Sequence, residues 1–204
     1  MHTRYNWNSE EAESNTYDYK MIRHYLSKEK NTLILDVGCG NGNISNKLIK
    51  EGYNVYGIDS SESGIECANC ENHNRFFVMD FETDDLPSTI SMSGQVDTII
   101  SCQVIEHIYS PQTLIKRMNE ILPQNGMVII TTPYHGYIKN LALSLLGKMD
   151  GHFTALWEGG HIKFWSRKTL TQLLERNGFR VIGFKGGGRI PYLWKSMLLV
   201  AVKC

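Results

Sequence analysis

The stretch Leu35-Asp36-Val37-Gly38-Cys39-Gly40-Asn41-Gly42 decides the fold, because it joins a short apolar run to a glycine-rich bend. The run over 32–37 is continuous and stops at the glycines, a pattern that predicts a buried parallel strand. Glycines allow the backbone to turn tightly and to approach a ligand closely. Ligands of open α/β sheets bind beyond the carboxyl ends of the strands. We therefore expect a ligand site here, although a GxG bend taken alone also fits a simple tight turn.

Strands and helices alternate along the rest of the chain. This order implies right-handed βαβ crossovers and a mostly parallel sheet covered on both faces. The last two strands follow each other without a helix, so we expect them to pair antiparallel at one edge. The predicted fold is therefore α/β, with a doubly wound, mostly parallel seven-stranded sheet and a C-terminal antiparallel strand pair. The further predicted strands span 53–58, 75–79, 96–101, 127–131, 179–184 and 197–203, and the predicted helices span 44–50, 60–69, 111–122 and 166–177.

Length and composition predict a single domain over residues 1–204. The chain is 42% hydrophobic and 21% charged, which provides enough apolar material for a packed core and excludes wholesale disorder. Two segments lie outside the strand–helix alternation, residues 1 to about 30 and about 134 to 165. We interpret the first as a helical cover over the ligand site and the second as an insertion at its edge.

Charge and cysteine content limit the partners and the compartment. The formal net charge is zero, so no global field attracts nucleic acid, but residues 134–204 carry 11 Lys and Arg against 3 Asp and Glu. No stretch has the pattern of a signal peptide or the roughly 18 apolar residues of a transmembrane helix. The five cysteines are scattered, and Cys67 and Cys70 form a CxxC without a second ligand pair. We expect a cytoplasmic protein with reduced thiols and no nucleic-acid partner.

Acidic residues follow the next two predicted strands. Asp59 ends the second strand and Asp80 the third, so both are expected at the same edge of the sheet as the glycine bend. A carboxylate at the second position can accept both hydroxyl protons of a ribose diol. Asp80 with Phe81 is suited to bind an adenine amino group and to cover the ring. The alternative is that each acid only caps the turn that follows it.

The motifs DVGCGNG, GIDSS and VMDFE together resemble class I S-adenosylmethionine-dependent methyltransferases, over about residues 32–204. A dinucleotide oxidoreductase is disfavoured, because Asn43 stands where GxGxxG has its third glycine. The resemblance implies a Rossmann-like fold and S-adenosylmethionine as cofactor, with its methionine end near the glycine bend, its ribose at Asp59 and its adenine at Asp80. The cofactor-binding residues that it implies are Asp36, Gly38, Cys39, Gly40, Asp59, Ser60, Asp80, Phe81 and Gln103.

Two later motifs add polar groups at the mouth of the same cleft. SCQVIEHI over 101–108 contains Glu106 and His107, and GGHIKFWS over 159–166 contains His161. With TPYHGY, they resemble the ubiquinone-biosynthesis O-methyltransferases more closely than a generic family member. They also resemble small-RNA 2′-O-methyltransferases, in which an ExxEH segment and a later histidine bind Mg²⁺, but Gln103 here replaces the first glutamate. The alternative is that Glu106 and His107 only order the loop.

Two mechanisms fit these residues. Glu106, His107 and His161 could hold Mg²⁺ or another divalent cation that lowers the pKa of a substrate hydroxyl. Alternatively, His161 or His107 is a general base that Glu106 orients. The predicted activity is O-methylation of a small-molecule hydroxyl, with RNA ribose 2′-O-methylation or a non-catalytic cofactor-binding module as alternatives. His135 and His152 have no such company in the sequence and are interpreted as surface or loop groups.

The insertion over 134–165 is rich in leucine and isoleucine. An apolar segment after a strand at the site edge suits a substrate lid, and the basic C-terminal third would allow peripheral contact with an anionic membrane. The alternative is a helix packed on the sheet. In the N-terminal segment, aromatic residues that include Tyr5 and Trp7 are expected either to stack over the cofactor or to pack against the sheet.

Overall fold

A computed structural model describes residues 13–153, 155–157 and 159–204. Within these ranges, strands and helices alternate as the sequence predicts. The strands are β1 (Ile34–Val37), β2 (Val55–Asp59), β3 (Phe76–Val78), β4 (Thr98–Cys102), β5 (Met127–Pro133), β6 (Phe179–Gly187) and β7 (Ser196–Lys203). The helices are α1 (Glu13–Tyr25), α2 (Asn43–Lys50), α3 (Glu62–Asn69), α4 (Ser88–Met92), α5 (Pro111–Ile121), α6 (Tyr137–Leu145), α7 (Met149–Phe153) and α8 (Arg167–Arg176).

The strands form one seven-stranded sheet in the order β3-β2-β1-β4-β5-β7-β6. β1 to β5 pair in parallel, and β7 is antiparallel to both β5 and β6. The predicted fold is therefore confirmed. The direction of the strand order reverses between β1 and β4, and such a switch point is where open α/β sheets form their ligand crevice.

The core lies on both faces of the sheet, which explains the continuous apolar runs of the parallel strands. Successive side chains of a strand point to opposite faces. Ile34 consequently packs in a cluster with Ile22 of α1 and Leu48 of α2. Its neighbour Leu35 packs in the other cluster, with Leu114 of α5. Each face thus needs its own covering helices, as a doubly wound sheet requires.

Local signals in the sequence set several helix ends. Ser61 caps α3 by accepting the Gly64 N–H, and Ser166 and Thr169 form a reciprocal capping box at the start of α8. Gly178, at φ 81°, follows α8 and ends it. Helix α4 was not predicted from the sequence, because five residues with one buried apolar side chain make no helical pattern.

The two segments outside the alternation contain both helices and loops where they are described. α1 buries Met21 and Ile22 against the sheet, while residues 1–12, with Tyr5 and Trp7, lie outside the described part of the chain. The insertion contains α6 and α7, and α6 buries Lys139 while Leu145 stays 79% exposed. Within the described ranges, no helix combines the length and the hydropathy needed to cross a bilayer.

Candidate active site

The glycine bend is fastened to the end of β2. The N–H groups of Gly38 and Cys39 both donate to the Ile58 carbonyl, at 2.8 and 3.1 Å. Gly38 has φ 77°, and a Cβ there would collide with the Val104 side chain, so glycine is needed both for the backbone conformation and for the close approach. The bend therefore sits directly over the carboxyl ends of β1 and β2, where the sequence predicts the ligand.

Asp59 connects this bend to the next helix. Its Oδ2 accepts the Gly40 N–H at 2.8 Å, and its Oδ1 accepts the Ser61 N–H at 2.8 Å. Burial raises the pKa of Asp59, while the backbone donors oppose that rise. Since each carboxylate oxygen offers two lone pairs, Asp59 retains acceptor capacity for a hydroxyl pair. Ser60, its neighbour, is exposed.

Asp36, predicted at the methionine end of the cofactor, is buried at β1 just before the glycine bend, and its role toward the cofactor stays a prediction. Its Oδ2 accepts the Ser45 hydroxyl of α2 at 2.6 Å, and its exposed fraction is 2%. Its Oδ1 has no hydrogen-bond partner among the described residues. Burial, and to a smaller extent the charge of Asp59, raises the pKa of Asp36 to about 7. Its visible structural role is to tie β1 to the first turn of α2.

Asp80 and Phe81 have different environments. Asp80 follows β3, is half-buried, and accepts the Glu82 N–H at 2.9 Å. Phe81 is 7% exposed and packs in the core, with the Arg117 guanidinium 5.6 Å from its ring centre. The cover of an adenine ring by Phe81 remains a prediction, and the structure leaves little of that ring accessible.

Gln103 belongs to a polar network that the sequence did not reveal. Its Nε2 donates to Asp18 Oδ2 at 3.0 Å and to Ser196 Oγ at 3.1 Å, and the Ser196 hydroxyl donates to Asp18 Oδ1 at 2.7 Å. Asp18 is fully buried, and burial raises its pKa to about 7. One signal was available: Asp18 shares a helix face with Met21 and Ile22, which places an acid on an apolar stripe.

Glu106, His107 and His161 lie together beyond the end of β4. One ligand atom from each of them lies within 4.8 Å of the other two. They are brought together by the backbone, because the Glu106 carbonyl accepts the N–H groups of Ile162 and Lys163 at 2.9 and 3.0 Å. The end of the insertion is thereby held against the loop after β4. The sequence motifs that predicted these three residues are thus spatial neighbours.

The three groups are in distinct protonation environments. Glu106 is 1% exposed, its Oε2 accepts the Thr132 hydroxyl at 2.9 Å, and burial raises its pKa to about 8. His107 Nδ1 lies 2.9 Å from the Gly159 carbonyl, which can only accept, so the neutral ring carries its lone pair on Nε2. Burial and the neighbouring His107 lower the pKa of His161 to about 4, so His161 is a neutral proton acceptor at pH 7.

His135 and His152 were interpreted as surface or loop groups without neighbouring site residues; His135 does lie in the loop after β5, but the two histidines are neighbours and His135 is buried. His135 is 7% exposed, its ring centre is 5.0 Å from that of His152, and both contact Phe153. The sequence did not reveal this cluster, because the two histidines are joined only by the fold of the insertion. The cluster adjoins the Glu106 site, since His152 and His135 are close enough to interact electrostatically with His161.

Comparison with known proteins adds the following findings. A family model described as a methyltransferase domain matches residues 12–183. The ubiquinone biosynthesis O-methyltransferase of Dinoroseobacter shibae is 25% identical over 161 residues, 77% of this chain and 63% of that protein. The Coxiella burnetii protein of the same name is 28% identical over 155 residues, 75% of this chain and 65% of its own length. The chain thus spans less than two thirds of either relative.

Solved structures match over most of the chain. Magnesium protoporphyrin IX methyltransferase from Synechocystis PCC 6803, solved with bound SAH, has a TM-score of 0.64 at 23% identity and covers 91% of this chain and 81% of its own. A Bacillus halodurans protein described as a possible methyltransferase has a TM-score of 0.70 at 13% identity, with coverages of 91% and 98%. At these identities the likeness establishes a common fold.

Proposed function

Because the chain belongs to the methyltransferase domain family, we propose that it transfers the methyl group of S-adenosylmethionine to a hydroxyl of a small molecule. The observation that carries the proposal is the pairing of two sites along one sheet edge. The glycine bend and Asp59 lie at β1 and β2, and Glu106, His107 and His161 lie beyond β4. One site suits the cofactor and the other suits an acceptor hydroxyl.

For the cofactor, we assign the ribose diol to Asp59 and the adenine edge to Asp80. Asp59 is fixed by two backbone N–H groups, so it is preorganised to accept hydroxyl protons. The methionine end is assigned to the bend that contains Gly38 and Gly40. These two residues have no side chain, so their backbone can lie close to the cofactor. Cys39, Ser60 and Gln103 remain proposed neighbours of the cofactor.

For the chemistry, we assign proton acceptance to His161. The acceptor oxygen attacks the sulfonium methyl carbon, the C–S bond breaks with its electron pair going to sulfur, and the hydroxyl proton passes to the imidazole. His161 is neutral at pH 7 and can therefore accept a proton, while its pKa of about 4 makes it a weaker base than an ordinary histidine. His107 and Glu106 position it, since the His107 ring centre is 4.9 Å from that of His161. Alignment of the two reactants supplies the rest of the rate enhancement.

The same three residues also fit a divalent cation. Glu106 Oε1 is buried without a hydrogen-bond partner among the described residues, and His107 donates Nδ1–H to a carbonyl, as metal-bound histidines usually do. Two imidazoles and a carboxylate would then hold the ion, which would lower the pKa of the acceptor hydroxyl. The general-base assignment and the metal assignment both place the hydroxyl beside His161.

Small-molecule O-methylation is favoured by the relatives, both of which are named ubiquinone biosynthesis O-methyltransferases.

Peripheral membrane contact through the insertion is part of the proposal, because apolar side chains of α6 and the residues after it face solvent. Tyr137 is 80% exposed, Leu145 79% and Leu146 66%. Sedimentation with anionic vesicles should carry the protein down, and the double change Leu145→Ser with Leu146→Ser should weaken this, whereas the exposed Met92→Ser should not.

The function is tested by two measurements on the full chain. Isothermal titration with S-adenosylhomocysteine should give saturable heat at one site. Methyl transfer from labelled S-adenosylmethionine to a panel of catechols, phenols and sugars should identify an acceptor. Absence of heat would refute the cofactor assignment. Heat without turnover on any hydroxyl compound would leave a cofactor-binding module and refute the catalytic proposal.

A further inference from the structure

Lys139 is a buried cation in the insertion. Its exposed fraction is 7%, although its neighbours on α6 are mostly exposed. Its Nζ donates to the Tyr134 carbonyl at 2.7 Å, and none of the described carboxylates forms an ion pair with it. Burial and the charge of Arg189 lower the pKa of Lys139 to about 8, so the ammonium form still prevails at pH 7. A buried charge with one acceptor is costly unless something else compensates it.

Two imidazole nitrogens near Lys139 have no hydrogen-bond partner among the described residues, and each can donate to a ligand in the tautomer that carries its proton there. His135 Nδ1 and His152 Nε2 are shielded from solvent and make no hydrogen bond to any described group. Their ring centres are 5.0 Å apart, and Lys139 is close enough to influence the pKa of both. Arg189, which is exposed, acts on His152 and Lys139 in the same way. Lys139, which binds the carbonyl of the residue before His135, and the two imidazoles thus lie together without a described acid among them, and the charge of Arg189 acts on this cluster from the surface.

The positive charges around these imidazoles determine whether a cation or an anion can bind beside them. A metal ion would meet the ammonium of Lys139 and the guanidinium of Arg189, both of which repel it. An oxyanion would be attracted by both cations and could accept N–H donors from neutral imidazoles. Arginine and lysine beside buried donors are the usual means by which proteins hold carboxylate and phosphate groups.

The position of the cluster separates it from the cofactor site. His135 follows β5, whereas Asp59 ends β2, and β1 and β4 lie between them in the sheet. At about 4.8 Å per strand the two sites are roughly 14 Å apart. The cluster instead adjoins the acceptor side, because Lys139 and His152 are close enough to His161 to lower its pKa. A molecule anchored here would extend toward His161.

We propose that Lys139, Arg189, His135 and His152 form a subsite for an oxyanion substituent of the acceptor, either a carboxylate or a phosphate. Since the anion is taken to be part of the acceptor, the proposal rests on the proposed function and narrows it to an acidic hydroxyl compound. Anchoring the acid group would orient the acceptor, so that one hydroxyl faces His161 and the sulfonium methyl.

The test follows the histidine side chains by NMR. The full chain, labelled with ¹⁵N-histidine and saturated with S-adenosylhomocysteine, is titrated with sodium phosphate or sodium acetate at constant ionic strength, with chloride as the balancing salt. The imidazole signals of His135 and His152 should shift saturably. Phosphate and acetate arms distinguish the two oxyanions. No saturable shift with either ion would overturn the proposal, whether or not S-adenosylhomocysteine binds.

Variants make the test specific. Lys139→Met and Arg189→Gln should each lower the affinity for the anion about tenfold or more, as loss of a charged hydrogen bond implies. Lys148→Met, an exposed lysine of the same insertion, is the matched control and should leave the affinity unchanged. Because Arg189 is exposed, its variant remains informative even if Lys139→Met impairs folding. Wild-type affinity in Arg189→Gln, or a shift that disappears when S-adenosylhomocysteine is added, would overturn the proposal.

Discussion

Asp59 is the residue on which the cofactor assignment depends most. Asp59→Ala removes the proposed ribose acceptor and also the acceptor of the Gly40 and Ser61 N–H groups. We expect the dissociation constant of S-adenosylhomocysteine to rise at least about tenfold, or about 1.4 kcal/mol. Isothermal titration measures this, with the exposed Glu120→Gln as the matched control. An unchanged dissociation constant would remove Asp59 from the site.

His161 is predicted to affect turnover rather than binding. His161→Gln keeps a polar side chain but removes the neutral imidazole, so we expect the turnover rate to fall by about a hundredfold or more. The affinity for S-adenosylhomocysteine should persist, since Asp59 and the glycine bend lie at β1 and β2. His73→Gln, at an exposed loop position, is the control for histidine loss. Normal turnover of the variant on the identified acceptor would exclude His161 from the chemistry.

At the scale of an element, β2 depends on the absence of a side chain at Gly57. A Cβ there would lie 2.5 Å from Phe76 Cδ1 and 2.8 Å from Cys39 Sγ, so β3 or the glycine bend would have to move. We expect Gly57→Ala to lower the free energy of unfolding by about 1–3 kcal/mol. Urea denaturation measures it. Gly151→Ala in α7, where an added Cβ meets nothing within 4 Å, should not destabilise.

Helix α1 is anchored by the Asp18 network, which makes its attachment pH-dependent. The folded-state pKa of Asp18 is about 7, against 3.8 for an ordinary aspartate. Between these values the folded protein holds a proton that the unfolded chain has released, so the stability that Asp18 contributes is present at low pH and is lost as the pH rises through 7. The pKa values of Asp36 and Glu106 are raised to about 7 and about 8, so these two acids also contribute stability at low pH that is lost as the pH rises.

Asp18→Asn isolates this contribution, because an amide does not ionise. From pH 4.5 to pH 8, the stability of the variant relative to the wild type should increase by at least about 1 kcal/mol. Urea unfolding of both proteins at the two pH values measures the difference, and the exposed Asp85→Asn is the control. Parallel pH profiles of Asp18→Asn and wild type would show that Asp18 is ionised throughout this range in the fold.

At the scale of the whole molecule, the proposed metal would join distant parts of the chain. Glu106 and His107 follow β4, and His161 ends the insertion. A ligand that binds only the folded state raises its stability, so Mg²⁺ in millimolar excess should raise the melting temperature and a chelator should reverse this. His161→Gln should abolish the shift. If wild type and variant respond equally to Mg²⁺, the metal assignment fails and the general-base assignment stands alone.

The fold and the family were predictable because their signals are local. The apolar run before the glycine bend, the acid at the end of β2 and the cap at Ser166 each lie within a few residues, and both fold and family are confirmed. Asp18 was not predictable as a network member, because its partner Ser196 lies at the other end of the sequence. The His135–His152 pair was not predicted for a similar reason, since His135 precedes α6, His152 lies in α7, and no local sequence pattern joins them.

The position of β7 between β5 and β6 has a consequence for biosynthesis. Until residues 196–203 have been synthesised, the flank of β5 that faces away from β4 has unpaired amides and carbonyls, and β6 has no strand to pair with. A nascent chain stalled before that point has an unpaired strand edge that can pair with another chain, and we expect chaperones that bind nascent chains to cover it. Pairing of β7 with β5 and β6, rather than formation of the glycine bend, is therefore the step that completes the sheet.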